Sequence, residues 1–271
     1  MKRGVPQSHQ SPIGDRLAVN RRNGRRLGGN ALPLSLFACV LISALLLASS
    51  ALAATATVEL GSAASFSVLG GSTITNTGPT TMSADLGLSP GSSVTGAPQV
   101  LGQTHVDDAV AIAAKTALTT AFNEAAARPS SGSAGTDLSG QEFTAGVRSA
   151  SSSLLLSSGT VTLNAQGNAN AVFIFQIGST LTTHAGTTVL LINGAQACNV
   201  FWEVGSSATI GAATHFVGTI MAHESITAAT GATFNGRLLA QTAAVTLEDN
   251  TITTSACAAS EGETKTKGTE E

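Results

Sequence analysis

Residues 209–253 read TIGAATHFVGTIMAHESITAATGATFNGRLLAQTAAVTLEDNTIT, and one phrase in this stretch is spoken twice. Phe216-Val217-Gly218-Thr219-Ile220-Met221-Ala222-His223 returns as Phe234-Asn235-Gly236-Arg237-Leu238-Leu239-Ala240-Gln241, 18 residues later. A short polar–apolar–Thr triplet follows each copy, first Ser225-Ile226-Thr227 and then Ala244-Val245-Thr246. Working outward, the same alternation stands at Thr73-Ile74-Thr75, Thr160-Val161-Thr162, Thr180-Leu181-Thr182 and Thr251-Ile252-Thr253, with a weaker copy at Thr209-Ile210-Gly211. Neighbouring side chains of an extended strand point to opposite faces, so the central aliphatics face a core and the flanking threonines face out.

A period near 18, with Gly and Asn at the corners and β-branched residues between them, fits one coil of a β-solenoid. A single coil cannot bury its own apolar side, so the coils must stack. Stacking puts strands about 4.8 Å apart and alternate residues about 6.7 Å apart, which sets the outward hydroxyls on a two-dimensional grid. Only 11% of the residues are charged, so that grid is nearly neutral.

The N-terminus follows other rules. Lys2, Arg3, Arg16, Arg21, Arg22, Arg25 and Arg26 precede an apolar run, ALPLSLFACVLISALLL, over residues 31–47, and an Ala-x-Ala site lies at Ala51 to Ala53. This is the layout of a secretory signal peptide over residues 1–53; the other reading is a retained N-terminal membrane anchor. Its basic residues are an orientation signal, not a nucleic-acid patch. Removing it takes Lys and Arg from 13 to 6 and Asp and Glu from 16 to 15, leaving a net charge of about −9. An acidic, exported chain is expected to be extracellular, to bind no nucleic acid and, once processed, no membrane.

Export also frames the cysteines. Cys39 leaves with the signal peptide, and Cys198 and Cys257 remain as an even pair bound for an oxidising compartment, so a disulfide between them is expected. No further Cys or clustered His accompanies them, which disfavours a metal site.

One domain is expected over residues 54–257. Its first residues read as opening coils punctuated by Asn76, Gly78, Pro79, Pro90 and Gly91. From residue 106 to 127 the period changes: Val110, Ala114, Ala117, Leu118, Ala121 and Phe122 recur at helical spacing, Asp107 and Asp108 suit a helix N-terminus, and Pro129 follows the end. One amphipathic helix is therefore expected to lie along the solenoid. Residues 130–150 read as a Gly- and Ser-rich connection, with strands resuming from Leu154. The tail over residues 258–271, AASEGETKTKGTEE, is charged, lacks large apolar side chains and is expected to be disordered.

Several separated segments in this order resemble one family. Phe66-Ser67-Val68-Leu69-Gly70-Gly71-Ser72-Thr73-Ile74-Thr75, Leu86-Gly87-Leu88-Ser89-Pro90, Val172-Phe173-Ile174-Phe175-Gln176-Ile177, the Gly194 to Val204 segment and Asn235 to Ala243 are similar to the microbial ice-binding proteins. The resemblance covers about residues 57–255 and implies a mainly β fold: a right-handed β-solenoid of triangular cross-section with one long α-helix alongside. It also implies secretion, N- and C-terminal coils lying side by side, and adsorption to ice through one flat face. The family's motif, a Thr, a small residue, any residue, then Thr or Asn, falls on Ser72 to Thr75 and, one residue longer, on Thr242 to Thr246.

The expected ice-contacting face accordingly carries Ser72, Thr73, Thr75, Thr160, Thr162, Thr180, Thr182, Thr209, Ser225, Thr227, Thr242 and Thr246, with Thr187 and Thr264 outside the ladder. Ice presents an array of oxygens with neither charge nor pocket, so many weak contacts in register are needed. The same ladder also suits a structural role, because Thr is a good strand former. Function therefore divides between an antifreeze protein that inhibits ice growth and recrystallisation and an extracellular adhesion or matrix protein using the solenoid as a spacer or polysaccharide binder. An enzyme is not expected: Glu203, Glu224, Glu248 and Asp249 read as solvated turn residues, His105, His184, His215 and His223 sit in unrelated contexts, and no nucleotide fingerprint is present. Trp202, the only tryptophan, reads as an anchor in the ice face or a filler at a coil edge, with a sugar platform as the third choice. No cofactor is expected, the partner is an ice surface, and the chain is expected to be a monomer.

Overall fold

The triplets become strands with their aliphatics inside. Ile74, Val161, Leu181, Ile210, Ile226, Val245 and Ile252 are all buried, while Thr75, Thr209, Thr251 and Thr253 are exposed. The computed structural model describes residues 55–254 and 256–258. The signal peptide expected at 1–53 and the tail from residue 259 lie outside the described residues.

Every strand pairs in parallel with the coil above or below it, as a β-solenoid requires. Three faces result. The first is a seven-stranded sheet in the spatial order Leu154–Leu156, Leu181–Thr183, Ala208–Ile210, Ile226–Ala228, Val245–Glu248, Thr73–Thr77, Ser93–Thr95. The other two belong to one fifteen-stranded sheet that bends round a corner. The long strands His215–Ala222 and Thr233–Ala240 make that bend, and Gly218 and Gly236 sit opposite one another within it. Gly218 has φ +107, and a Cβ there would lie 2.8 Å from Trp202 Nε1. A Cβ on Gly236 would come to 1.9 Å of the Gly218 carbonyl oxygen, so the repeated glycine is a steric demand of the corner.

The coils are not uniform. Leu154, Leu181 and Ala208 stand at equivalent positions 27 residues apart, then Ile226 and Val245 follow after 18 and 19. The repeat read from the sequence is thus the period of the short coils only. An aromatic file runs through the interior of long and short coils alike: Phe143 meets Phe175 edge-on at 5.4 Å, Phe175 stacks on Trp202 at 4.2 Å, and Phe216 and Phe234 continue the line. Trp202 is fully buried here and donates its Nε1 proton to the Val217 carbonyl, 2.9 Å away. It is a core residue, neither on a face nor at an edge.

Chain order and stacking order differ. Val68 pairs with Leu238, Thr75 with Thr246 and Thr81 with Thr251, so the N-terminal coils sit on the last C-terminal coil. The chain must then return to the far end before it can climb back. Helix α1, Ala109–Ala127, makes this return. Nineteen residues span about 28 Å, close to six inter-strand steps of about 4.8 Å. Its start is three residues later than the sequence suggested because Asp108 is the N-cap, accepting from the Ala111 amide at 2.9 Å.

The buried stripe of α1 is Ala111, Ala114, Leu118, Ala121, Phe122 and Ala125; Val110 is exposed instead. Alanines let the helix approach Leu69, Ile174, Phe201, Met221 and Leu239, while Leu118 and Phe122 each contribute about 2 kcal/mol by burial. The helix is also fastened at both ends of this contact. Lys115 donates to the carbonyls of Ala240 and Gln241, and Gln176 donates to those of Ala125 and Arg128.

Residues 130–150 correct the expectation of a plain connection. Gly132–Ser133 and Glu142–Thr144 are strands of the lowest coil, whose small polar residues bond to the backbone, and Gly146–Ala150 opens the coil stacked on it. Asp137 organises the turn, accepting from the amides and hydroxyls of Ser139 and Ser157, and those hydroxyls hold its carboxyl well below the ordinary range. Cys198 and Cys257 form a disulfide with Cα atoms 5.4 Å apart, tying the segment after the last strand to the turn Ala197–Asn199.

Candidate functional site

Along the seven-stranded face the outward residues form two ranks. In the first, Leu155, Thr182, Thr209, Thr227, Thr246, Thr75 and Thr95 are direct register partners, one from each strand of the sheet. Six successive positions are therefore threonine. The second rank, two residues earlier along each strand, runs Thr180, Ser207, Ser225, Ala244, Thr73 and Ser93. Within these seven strands no charged side chain stands in either rank; one step below, Leu155 bridges to Asp137, which ends the first rank in a carboxylate.

The hydroxyls of the first rank make no hydrogen bond to protein among the described residues. Their donor and acceptor capacity is turned to the outside, while their χ1 rotation is restricted by β-branching. The second rank is partly self-satisfied: Thr180 donates to Ser153 at 2.8 Å, and Ser207 and Ser225 lie 3.0 Å apart. Glu224 marks the edge, accepting from Ser206 and Ser207. Rigidity comes from below, because the inward partners of these ranks, Leu181, Ala208, Ile226, Val245 and Ile74, are all at most 1% exposed. Such an array can hold water in a repeating pattern at little entropic cost.

The structure brings together Thr73, Thr75, Thr180, Thr182, Thr209, Ser225, Thr227 and Thr246 of the expected face. Four residues fall elsewhere. Thr160 and Thr162 pair with Thr188 and Leu190 on the third face, the one formed by the outer half of the bent sheet. Ser72 and Thr242 sit at the corner leading onto the ladder, where the Ser72 amide donates to Ala243 and the Thr242 hydroxyl to the His223 carbonyl at 2.6 Å. The expectation of one face for all twelve is corrected, since the alternation that sends a threonine outward does not say which of three sides it leaves by.

Three members were missed. Ser93 and Thr95 flank Val94, and Ser207 precedes Ala208 and Thr209; both triplets have the alternation of the others and were legible by the same rule. Thr187, placed outside the ladder, is fully buried at a corner with its hydroxyl on the His184 carbonyl, so it is no neutral control position. Glu203 is also no solvated turn residue. It lies within the strand Val200–Val204 on the helix-covered face, only 7% exposed, and burial pushes its carboxyl up to about 7.

Comparison with known proteins converges on one family. The family model described as Ice-binding-like matches residues 68–253. The Ice-binding protein of Nostoc sp. (strain HG1) is 44% identical over 197 residues, covering 71% of this chain and 72% of its own length. Among solved structures, an ice binding protein from an Antarctic Biological Consortium is 47% identical with a TM-score of 0.73, over 74% of this chain and 92% of that one. The ice-binding protein of the Antarctic ascomycete Antarctomyces psychrotrophicus is 40% identical with a TM-score of 0.70, over 73% and 98%. With matches spanning nearly all of the solenoid, the chain belongs to the ice-binding-like family, a family of non-enzymatic proteins.

Proposed function

We propose that this protein is exported and adsorbs to ice through the seven-stranded face, inhibiting ice growth and recrystallisation. The observation that carries the reading is the unbroken rank Thr182, Thr209, Thr227, Thr246, Thr75 and Thr95, in register and free of internal hydrogen bonds. Each threonine offers a methyl against which water orders and a hydroxyl that joins the ordered array. The backbone repeat fixes both at about 4.8 Å across coils and about 6.7 Å along strands. Individual contacts are weak, so binding depends on many of them forming without loss of conformational entropy, which a fully packed solenoid supplies.

Charge has little part in this, and adsorption is expected to persist at salt concentrations that screen ionic contacts. Relatives named for ice binding support the ligand, and the basic, apolar and Ala-x-Ala segments over residues 1–53 support export. The test is an ice-recrystallisation assay on the chain beginning at Ala54. Crystals that coarsen at the rate of a protein-free control refute the reading.

A further inference from the structure

From residue 54 onward the chain contains two Asn-Gly pairs, Asn193-Gly194 and Asn235-Gly236. In such a pair the glycine nitrogen can attack the asparagine side-chain carbonyl, because no Cβ on the second residue blocks the approach. Hydroxide takes the glycine amide proton, the Gly N–Asn Cγ bond forms, and the Cγ–Nδ2 bond breaks. The departing nitrogen takes a proton from water and leaves as ammonia, and a five-membered succinimide remains. Water then opens the ring at either carbonyl to give aspartate or isoaspartate, so the sum is amide plus water to carboxylate plus ammonium.

The fold puts the two pairs in opposite settings. Asn235 and Gly236 lie inside the strand Thr233–Ala240, in register with Val217 and Gly218 on one side, and Asn235 with Thr253 on the other. Gly236 is buried, and a Cβ on it would lie 1.9 Å from the Gly218 carbonyl oxygen. The peptide between Asn235 and Gly236 therefore cannot rotate without opening the sheet.

Asn193 and Gly194 are both exposed and follow the strand Thr188–Ile192. Their φ values are +52 and +87, and the Ala195 amide donates back to the Ile192 carbonyl at 3.2 Å, which makes a two-residue turn of type I′. Among the described residues the Gly194 amide has no hydrogen-bond partner, and the atoms nearest to a Cβ on Gly194 are 3.9 Å away. Turning the 193–194 peptide converts the turn to type II′, keeps φ positive at Asn193 and swings the Gly194 nitrogen to the side-chain carbonyl. The backbone bond broken by that rotation is the one from the Gly167 amide to the Asn193 carbonyl, 2.8 Å.

We propose that Asn193 is a site of spontaneous deamidation, converted by water to aspartate and isoaspartate while Asn235 stays intact. The conversion breaks a polar ladder. Asn193 Nδ2 donates to Asn164 Oδ1 at 2.9 Å, and Asn164 Nδ2 donates to Glu142 Oε1 at 2.7 Å. Asn164 Oδ1 also accepts from the Gln166 amide, so Asn164 cannot turn its amide to serve a carboxylate at position 193. The product thus loses one rung and sets two like charges on one ladder. This corner joins the third face to the helix-covered face, away from the seven-stranded face, so ice-recrystallisation inhibition should not change.

The experiment ages the folded protein beginning at Ala54 at pH 8 and samples it over weeks. Cleavage after glutamate puts Asn193 in the peptide ending at Glu203 and Asn235 in that ending at Glu248, and tandem mass spectrometry locates each acid. Acid should accumulate at Asn193 at least tenfold faster than at Asn235, and more slowly at pH 6, because the attack needs a deprotonated amide. In urea the two rates should converge, since the difference belongs to the fold. Gly194→Ala should slow the conversion at least tenfold, and Asn193→Asp should lower the denaturation midpoint. Equal rates at the two sites in the folded protein, or no acid at Asn193, overturn the proposal without reference to any variant. An Asn193 rate unchanged by Gly194→Ala overturns it as well.

Discussion

Replacing Glu203 by glutamine should make the fold more stable at pH 8 and change it little at pH 4. Glu203 lies under α1 with 7% of its surface exposed, in register with Gln176 on one neighbouring strand and Met221 on the other. Neither neighbour carries a charge, and burial raises the carboxyl from 4.5 to about 7. Between those two values the folded state holds a proton that the unfolded state has released. Stability contributed by that proton is therefore full below about pH 4.5 and is lost as pH rises through about 7. A shift of this size corresponds to a ceiling of about 3 kcal/mol, with a slope of at most about 1.4 kcal/mol per pH unit. The opposing contribution of Asp137, whose carboxyl is depressed, is lost only as pH falls below the ordinary carboxylate range, so the two windows do not overlap. Urea unfolding of wild type and Glu203→Gln from pH 4 to pH 8 isolates the effect, because every other titrating group cancels in the difference. That difference should grow in favour of the variant by up to about 3 kcal/mol. A difference that is flat across the range would refute the assignment of a buried carboxyl beneath the helix.

On the ladder, Thr227→Tyr with Thr246→Tyr places two rings on adjacent coils of the first rank and should abolish most recrystallisation inhibition with an unchanged circular dichroism spectrum; Thr120→Tyr, on the exposed side of α1, should be neutral. Retained inhibition in the double variant means the face is misassigned. Removing the disulfide with Cys198→Ser and Cys257→Ser frees a loop of sequence separation 59 and should cost about 4 kcal/mol by the chain-entropy relation, read as a lowered denaturation midpoint. An unshifted midpoint would show that the closing segment is held by other contacts. Gly218→Ala combines φ +107 with a Cβ 2.7 Å from Val200 Cγ1 and 2.8 Å from Trp202 Nε1, and should cost about 3 kcal/mol. A variant as stable as wild type in thermal unfolding would mean that the corner relaxes at no expense.

What the sequence determined by itself is the local alternation. Period two in the triplets, period 3.6 from residue 110 to 122 and the glycine of each repeated phrase state which side chains face inward, where the one helix lies and where the chain turns. These are properties of neighbours along the chain, so they are legible without a fold. The cysteine pair was legible for a simpler reason: with the expected signal peptide and its Cys39 set aside, Cys198 has only one possible partner within the chain.

Which of three sides an outward threonine occupies was decided only in three dimensions. Thr160 and Thr180 have the same local pattern, yet the corners between them turn the chain and place them on different faces. Coil length was hidden for the same reason: an inserted loop lengthens the period from 18 to 27 residues without disturbing the pairing of Leu181 with Ala208. Glu203 and Trp202 were misread because burial at their positions comes from elements distant in sequence, the helix laid over one and the aromatic file packed round the other. Even the completeness of the candidate face is a tertiary fact. Thr75 reaches Thr246 across 171 residues of chain only because the helix carries the chain back to the far end of the stack and the coils then climb until the two meet.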